Sequence, residues 1–415
     1  MCKIEDKQSD NKPKYEIQDI FNQYSDKYIS THNTTLDQRK AISDIINCRT
    51  STLGYNAKQC NGCGDITFSY NSCRNRNCPK CQGDKRHEWI NARLKTTLDV
   101  PHYHTVFTVP NQLFDIAIYN QKIFYDLLFK CAADTLKLFA KDLKWWDIGA
   151  LKYDINNPPK IDLSFFGVLH TWGQSLVYHP HIHFIVASAG IINNTTIVNS
   201  KYKSRFLFPV KAMSKVFRGK LIQGIKKAYY KDELFLTDDL KSKLQFESFI
   251  TNIANRKWVI YMKSQFPTSK KIVEYLSRYT HRTAISNSRI ISIDNNIIRF
   301  SYKDYKDNSK IKMMKLSANE FIKRFLYHIP PKRYFRIRYY GKIQKLSTIN
   351  NKLITHKTED EIQKRNKQNK PQCKKCKDSE SKVIIVVDRY NKVIQGLMTL
   401  EILERKQKAK FNDTT

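Results

Sequence analysis

The run YHPHIHFIVASAG, residues 178–190, places histidine at 179, 181 and 183 and apolar residues at 182, 184 and 186. Side chains alternate across the faces of a strand. The three histidines therefore share one face, while Ile182, Phe184 and Val186 point into a core. The fold must supply a sheet with one packed face and one face carrying imidazoles. LSFFGVLHTWG, residues 163–173, precedes this run by one tight link and reads as its partner strand.

A lone histidine on a strand is usually a satisfied core or surface residue. Three in alternation, backed by an apolar face, are not explained that way. Two imidazoles two residues apart, His181 and His183, can chelate one divalent ion and leave positions open for substrate oxygens. A third ligand must come from elsewhere. Gln174, across the link, offers a carbonyl oxygen, and His179 is the alternative. An open site of this kind suits Mg²⁺ or Mn²⁺ acting on a phosphodiester better than structural zinc.

Five of the ten cysteines crowd into residues 60–81. Cys60-x2-Cys63 and Cys78-x2-Cys81 have the form of two zinc knuckles, and together they suit one tetrahedral Zn²⁺. Cys73 is an extra thiol that could replace one of the four. Closed four-thiolate sites are structural, so no chemistry is expected there. The loop between the knuckles carries Arg74, Arg76 and Lys80 and reads as a nucleic-acid contact surface. A further pair, Cys373 and Cys376, has no matching pair nearby in the sequence and reads as a degenerate ribbon or as two free thiols.

Charge points to the same partner. Lys and Arg number 73 against 38 Asp and Glu, a net charge of +35 over 415 residues. Such an excess opposes a compact state unless something neutralises it, and phosphate backbones do so most often. Hydrophobic residues make up 41% of the chain, enough for a real core. No run approaches the roughly 18 apolar residues of a spanning helix, and Met1 to Tyr15 does not read as a secretory signal. The expectation is a cytoplasmic, nucleoid-associated DNA-binding protein with no membrane partner.

Tyr275 and Tyr279 stand at i and i+4, about 40° apart around a helix, with Arg278 and Arg282 beside them. A metal and guanidinium groups nearby would favour the phenolate and make it a nucleophile. The plain alternative is packing, since the chain has 23 tyrosines. Downstream, Lys332, Arg333, Arg336 and Arg338 are interleaved with Tyr334, Phe335, Tyr339 and Tyr340. Cations for phosphates and aromatic faces for unstacked bases make a single-strand binding pattern. A basic edge strand with a buried apolar face would look the same.

Coarser patterning predicts helices near 15–49, 87–98, 112–145, 210–265, 269–282 and 318–329. It predicts strands at 102–110 and in short pieces from 290 to 317. A charged linker (357–382), a VIIVV strand and a short helix complete the reading.

The stretches NSCRNRNCPKCQ, HYHTVFTVP, GVLHTWGQSLVYHPHIHFIV, EYLSRYTHRTAISNSRI and EFIKRFLYHIPPKRYFRIRYYG, in this order, resemble the rolling-circle transposases of bacterial insertion sequences of the IS-ninety-one type. These are two-tyrosine relatives of the Helitron and HUH endonuclease group. The resemblance implies an α+β fold, with an HUH-endonuclease-like antiparallel sheet, flanking helices and an N-terminal helical, zinc-ribbon module. It implies a DNA-binding domain over 1–98 (ribbon 55–86), a catalytic domain over 99–345, and a basic linker and small tail over 346–415.

It further implies nicking of single-stranded DNA at the ends of a mobile element through a 5′-phosphotyrosine. His181 and His183 become the HUH pair, Gln174 the third ligand, and Tyr275 and Tyr279 the nucleophiles, with Arg278 beside them. Tyr275 ranks ahead of Tyr279 as first attacker. No phosphate-binding G-x-x-x-x-G-K-[ST] loop occurs, so duplex opening falls to supercoiling, a host helicase or replication proteins. Two other readings compete: a zinc-ribbon DNA binder without catalysis, and a histidine-triad nucleotide hydrolase, for which the tyrosines would be dispensable.

Overall fold

Phe124, Leu128, Ala132 and Leu136 recur every fourth residue, as do Met213, Phe217, Leu221 and Ile225, and both stripes are buried in one core. Such spacing puts each set on one side of its helix. The alternating residues Tyr103, Phe107, Phe165, Leu169, Ile182, Phe184 and Val186 complete that core. It is a helical layer packed on one face of a sheet, which leaves the other face for the histidines.

The computed structural model describes residues 13–341 and 373–396, apart from 82–88, 91, 93–99, 150–152, 155, 194–195, 202–206, 267–270, 272, 274, 276–282, 306, 374, 377–380 and 391. The helices used below are α1 (Ile17–Thr31), α2 (Leu36–Ile46), α3 (Phe114–Tyr119), α4 (Gln121–Ala140), α5 (Val210–Tyr229), α6 (Lys243–Ala254) and α7 (Ala318–Tyr327). The strands are β1 (Tyr55–Cys60), β2 (Ile66–Tyr70), β3 (His102–Thr108), β4 (Ile161–Trp172), β5 (Tyr178–Ile192), β6 (Thr196–Asn199), β7 (Ile260–Phe266), β8 (Ile290–Asp294), β9 (Ile297–Asp304), β10 (Lys310–Ser317), β11 (Ile337–Tyr340), β12 (Ser381–Val387) and β13 (Val393–Gly396).

The chain divides into two compact units. One falls within Met1–Gly83, Ser286–Phe300 and Lys357–Thr415. Its helices α1 and α2 start at capping boxes, Glu16 with Asp19 and Thr35 with Gln38, which satisfy amide groups that a helix start leaves open. Its sheet runs β13-β12-β1-β2, so a strand from near the C-terminus pairs with the first strand of the chain.

The other unit, within Asp84–Ile285 and Ser301–His356, is built on the order β11-β4-β5-β3-β7, with β6 paired to β5. All of these pairings are antiparallel. The mixed helical and antiparallel architecture expected from the sequence is present. The central pair β4–β5 has Gly167 opposite Phe184. A Cβ on Gly167 would lie 2.4 Å from the Phe184 ring, so glycine makes room for the aromatic to lie across the strand.

Two stretches differ from the periodicity reading. The end of the 210–265 segment, expected to be mainly helical, instead enters strand β7 (Ile260–Phe266) against β3, because the sheet edge offers a ladder that outweighs local propensity. Asn120 breaks the 112–145 stretch between α3 and α4; its side chain donates to the Ile116 and Phe235 carbonyls. At the far end, VIIVV lies in β12 and is followed by β13; the short helix expected after it lies outside the described residues.

Candidate functional site

The register of β4 and β5 builds the histidine site. His170 stands opposite His181, and Val168 opposite His183. Directly paired residues in an antiparallel ladder project to the same face. His170, His181 and His183 therefore converge, and one ring nitrogen from each lies within 4.8 Å of the others. The third member is His170, on the strand before the link. Gln174, the candidate suggested by the sequence, sits half-buried in that link. His179, the other candidate, is outside the three-histidine group and contributes its carbonyl instead, accepting a 2.6 Å bond from His181 Nδ1. The register decides this: Trp172 pairs with Tyr178 at the link, and an irregularity between His170 and Trp172 shifts the ladder by one residue so that His170 faces His181.

Two of these histidines, His181 and His183, are held as neutral lone-pair donors. Burial, reinforced by the neighbouring His179, pushes the His181 imidazole down to about 3. Burial and the adjacent His170, His181 and His104 hold His183 well below its usual value. With Nδ1–H committed to the His179 carbonyl, His181 keeps Nε2 for a ligand. His183 Nδ1 lies 2.8 Å from His104 Nε2 on β3, and the two rings stack at 5.0 Å. Sequence reasoning missed both His104 and His170. An open set of nitrogens fits a divalent cation that also binds substrate oxygens.

Tyr275 lies beside this site. Its ring meets His104 edge-on at 5.3 Å and packs with Phe266 at 5.1 Å. It is half-buried against the apolar patch of Phe166, Ile185 and Val273, which continues the histidine face of the sheet. Tyr279, Arg278 and Arg282 lie outside the described residues.

The link that sets the β4–β5 register is itself braced. Leu176 is fully buried with a left-handed backbone (φ 59), a conformation that costs a non-glycine residue energy. His328, just beyond α7, donates from Nε2 to the Leu176 carbonyl at 3.2 Å, while its Nδ1 accepts from the Thr171 hydroxyl at 3.3 Å. Burial lowers His328 to about 4, which keeps it in the neutral form this bonding requires.

The cysteines are arranged otherwise than their spacing predicts. Cys60, Cys63, Cys78 and Cys81 do not surround one point. Cys73, Cys78 and Cys81 gather with Cys48, just past α2, and Cys60 and Cys63 gather with Cys373 and Cys376. Spacing alone could not reveal the two partners, because one lies upstream of the cluster and the other is remote in sequence. In the first group, Cys48 and Cys73 sulfurs lie 3.4 and 3.6 Å from that of Cys81. A tetrahedron of thiolates about 2.3 Å from zinc has edges of about 3.8 Å. The set thus fits Zn²⁺ and is too open for a disulfide, whose sulfurs are about 2.05 Å apart.

The basic residues differ in exposure. Arg74 is exposed with a left-handed backbone (φ 55), and with Arg49 (φ 61) it lines an open polar cavity of about 470 Å³. Arg76 is half-buried, and Lys80 is held by Glu16 and Gln18. In the other unit, Lys332 and Arg333 are exposed and Arg336 is half-buried. Arg338 is paired with Asp126, bonded to the Tyr334 hydroxyl at 3.0 Å, and laid over the Phe129 ring at 4.5 Å. Tyr334 is buried, whereas Phe335 is 76% and Tyr339 47% exposed. The aromatic–basic stretch is thus partly a structural edge strand and partly an open surface.

Comparison with known proteins settles the lineage. The profile described as "Putative transposase" matches residues 164–352, and that of the IS91 "Transposase zinc-binding domain" matches 20–109. "Putative transposase y4qJ" of Sinorhizobium fredii is 36% identical over 330 residues, 79% of this chain and 79% of its own length. The chain belongs to the IS91 family of transposases. The transposase for insertion sequence element IS801 of Pseudomonas savastanoi pv. phaseolicola is 26% identical over 313 residues, 73% of this chain and 69% of its own. No solved structure matches the chain.

The resemblance read from the sequence is borne out, and with it a zinc-binding domain and DNA as the transposase's partner. The first profile spans His170, His181, His183 and Tyr275, and the second spans Cys48 through Cys81. No described helix is long and apolar enough to cross a membrane.

Proposed function

We propose that this transposase nicks and rejoins single-stranded DNA at the ends of its element, with Tyr275 as nucleophile and His170, His181 and His183 as ligands of Mg²⁺ or Mn²⁺. One observation carries the reading. Three imidazoles converge on the open face of the sheet, and a tyrosine ring rests on the histidine that buttresses one of them. When bound, the cation supplies Lewis-acid polarisation of a scissile phosphate.

The chain's own residues do the rest. His104 and the His179 carbonyl fix the ring orientations of His183 and His181. The Phe166–Ile185–Val273 patch holds the Tyr275 ring. The Tyr275 oxygen attacks phosphorus, the bond to the 3′ oxygen breaks, and that oxygen leaves as a 3′-OH carrying the proton the phenol gives up. The phosphodiester energy is retained in the phosphotyrosine, so a later 3′-OH can reverse the step without ATP. Tyr279 would serve a second 5′ end, as rolling-circle transposition requires.

One Zn²⁺ on Cys48, Cys73, Cys78 and Cys81 is structural in this reading. It shapes the loop that presents Arg74 and Arg49 to phosphates. Lys332, Arg333 and Arg336, with exposed Phe335 and Tyr339, add single-strand contacts. A host helicase or replication protein would open the duplex, which places the protein at the nucleoid.

Covalent capture tests this. Protein is incubated with labelled single-stranded element ends and Mn²⁺, then run on a denaturing gel. A metal-dependent adduct, lost in His181→Ala and in Tyr275→Phe, is the expected result. Tight binding with no adduct on authentic ends would leave a DNA-binding protein without catalysis. Cleavage of nucleoside phosphates that persists in Tyr275→Phe would point to a histidine nucleophile.

A further inference from the structure

The pair Cys373–Cys376 lies beyond both family profiles, which end at residues 109 and 352. We propose that Cys60, Cys63, Cys373 and Cys376 bind a second structural Zn²⁺, independent of the first, which clamps the C-terminal strand pair to the N-terminal one. The proposal does not depend on the strand-transfer reading.

Four sulfurs meet here from two knuckles. Cys60 and Cys376 approach to 3.5 Å, and Cys63 and Cys373 to 3.6 Å. These separations are close to a tetrahedral thiolate edge and well beyond a disulfide bond. The first knuckle is closed by Gly64 N–H donating to the Cys60 carbonyl at 3.0 Å and Cys60 N–H to the Asp65 carbonyl at 2.9 Å.

The backbone brings the knuckles together independently of the sulfurs. Strand β12 pairs with β1 from Tyr55↔Val387 to Cys60↔Ser381, so residue 376 lies just upstream of the paired end. Gly54 adopts φ 79, and a Cβ there would lie 2.2 Å from the Val387 carbonyl, so the close approach of the tail requires glycine. The core beneath is small: Tyr55, Ala57, Ile66, Ile384, Ile385 and Val387. A sheet with so little apolar area needs a staple, and a metal is one of the usual ones.

The two sites differ in access. Cys63 and Cys376 are exposed, whereas Cys48 and Cys78 are buried. The second site therefore exchanges first, and a chromophoric chelator should remove zinc in two phases.

The test uses the full-length protein, purified without added metal, with zinc measured per chain by atomic emission. Two zinc ions are expected, falling to one in the Cys373→Ser/Cys376→Ser double variant, which also loses the fast chelator phase. Hydrogen exchange at the β12 amides should quicken in that variant, while the Cys73–Cys81 loop stays protected. That contrast separates loss of one site from general unfolding. A wild-type content of one zinc, unchanged by the double substitution, would overturn the proposal. So would an intact mass lower by four hydrogens, the signature of two disulfides.

Discussion

His104 Nε2 lies 2.8 Å from His183 Nδ1, with the two rings within 2° of parallel. The contact fixes which nitrogen of His183 faces the other two histidines. Partners of this kind typically change metal affinity by about 10–100-fold. His104→Ala should weaken Mn²⁺ binding by that factor in calorimetry, while the far-ultraviolet spectrum stays unchanged. A variant with wild-type affinity would show that the stacking is packing alone.

His170 and Gln174 give opposite expectations. His170→Ala removes one of three converging nitrogens and should abolish measurable Mn²⁺ binding and adduct formation. Gln174→Ala, in the link, should cost less than about tenfold. The reverse order would return the third ligand to the link.

His328 predicts acid sensitivity. Its pKa falls from 6.5 to about 4 on folding. Between those values the unfolded chain binds the extra proton, so stability is full above pH 6.5 and declines as pH falls towards 4. The loss is about 3 kcal/mol at one residue. His181 and His183 shift the same way, so the measurement is a difference: His328→Asn should flatten the denaturation midpoint against pH relative to the parent. Parallel profiles would remove His328 as the cause.

Gly167 is predicted to resist substitution. With a Cβ 2.4 Å from the Phe184 ring, Gly167→Ala should destabilise by about 1–3 kcal/mol through overpacking. Thermal unfolding measures it. Gly167→Ala combined with Phe184→Leu should recover part of the loss, because the smaller side chain vacates the clash.

Arg74 and Arg338 should separate binding from stability. Arg74→Ala is expected to weaken single-strand binding and reduce the salt slope by about one. Arg338→Ala should instead lower the unfolding temperature, since it removes the Asp126 ion pair, leaving Asp126 only Lys122 at 3.5 Å, and takes the guanidinium off the Phe129 ring. Equal effects of both on the salt slope would place Arg338 at the DNA.

The sequence made one half of the site plain and hid the other. Alternation exposed His181 and His183, because both lie on one strand and a period of two needs no knowledge of neighbours. His170 and His104 reach the same place through register, and register depends on where a hairpin link closes. The zinc ligands follow the same rule. Cys78 and Cys81 announce themselves by spacing, but Cys48 joins them from the end of a helix, and Cys60 and Cys63 take partners that no local window contains. Residues 260–265 read as part of a helical segment because a sheet edge, absent from any local window, sets their conformation. The charge of Arg338 is visible in the sequence, whereas its partner Asp126, on helix α4, is not.

The pairing of β12 with β1 also sets an order on biosynthesis. Cys60 and Cys376 stand 316 residues apart, and at about 5–20 residues per second the ribosome needs roughly 16–63 s to pass from one to the other. Throughout that time the N-terminal sheet lacks its neighbouring strand, while the histidine strands emerge and can pack. A gene interrupted between residues 357 and 381 would therefore yield a chain that retains the whole histidine unit but lacks the strands β12 and β13 of its first unit. In this fold, translation through the last strands is a condition for finishing the first.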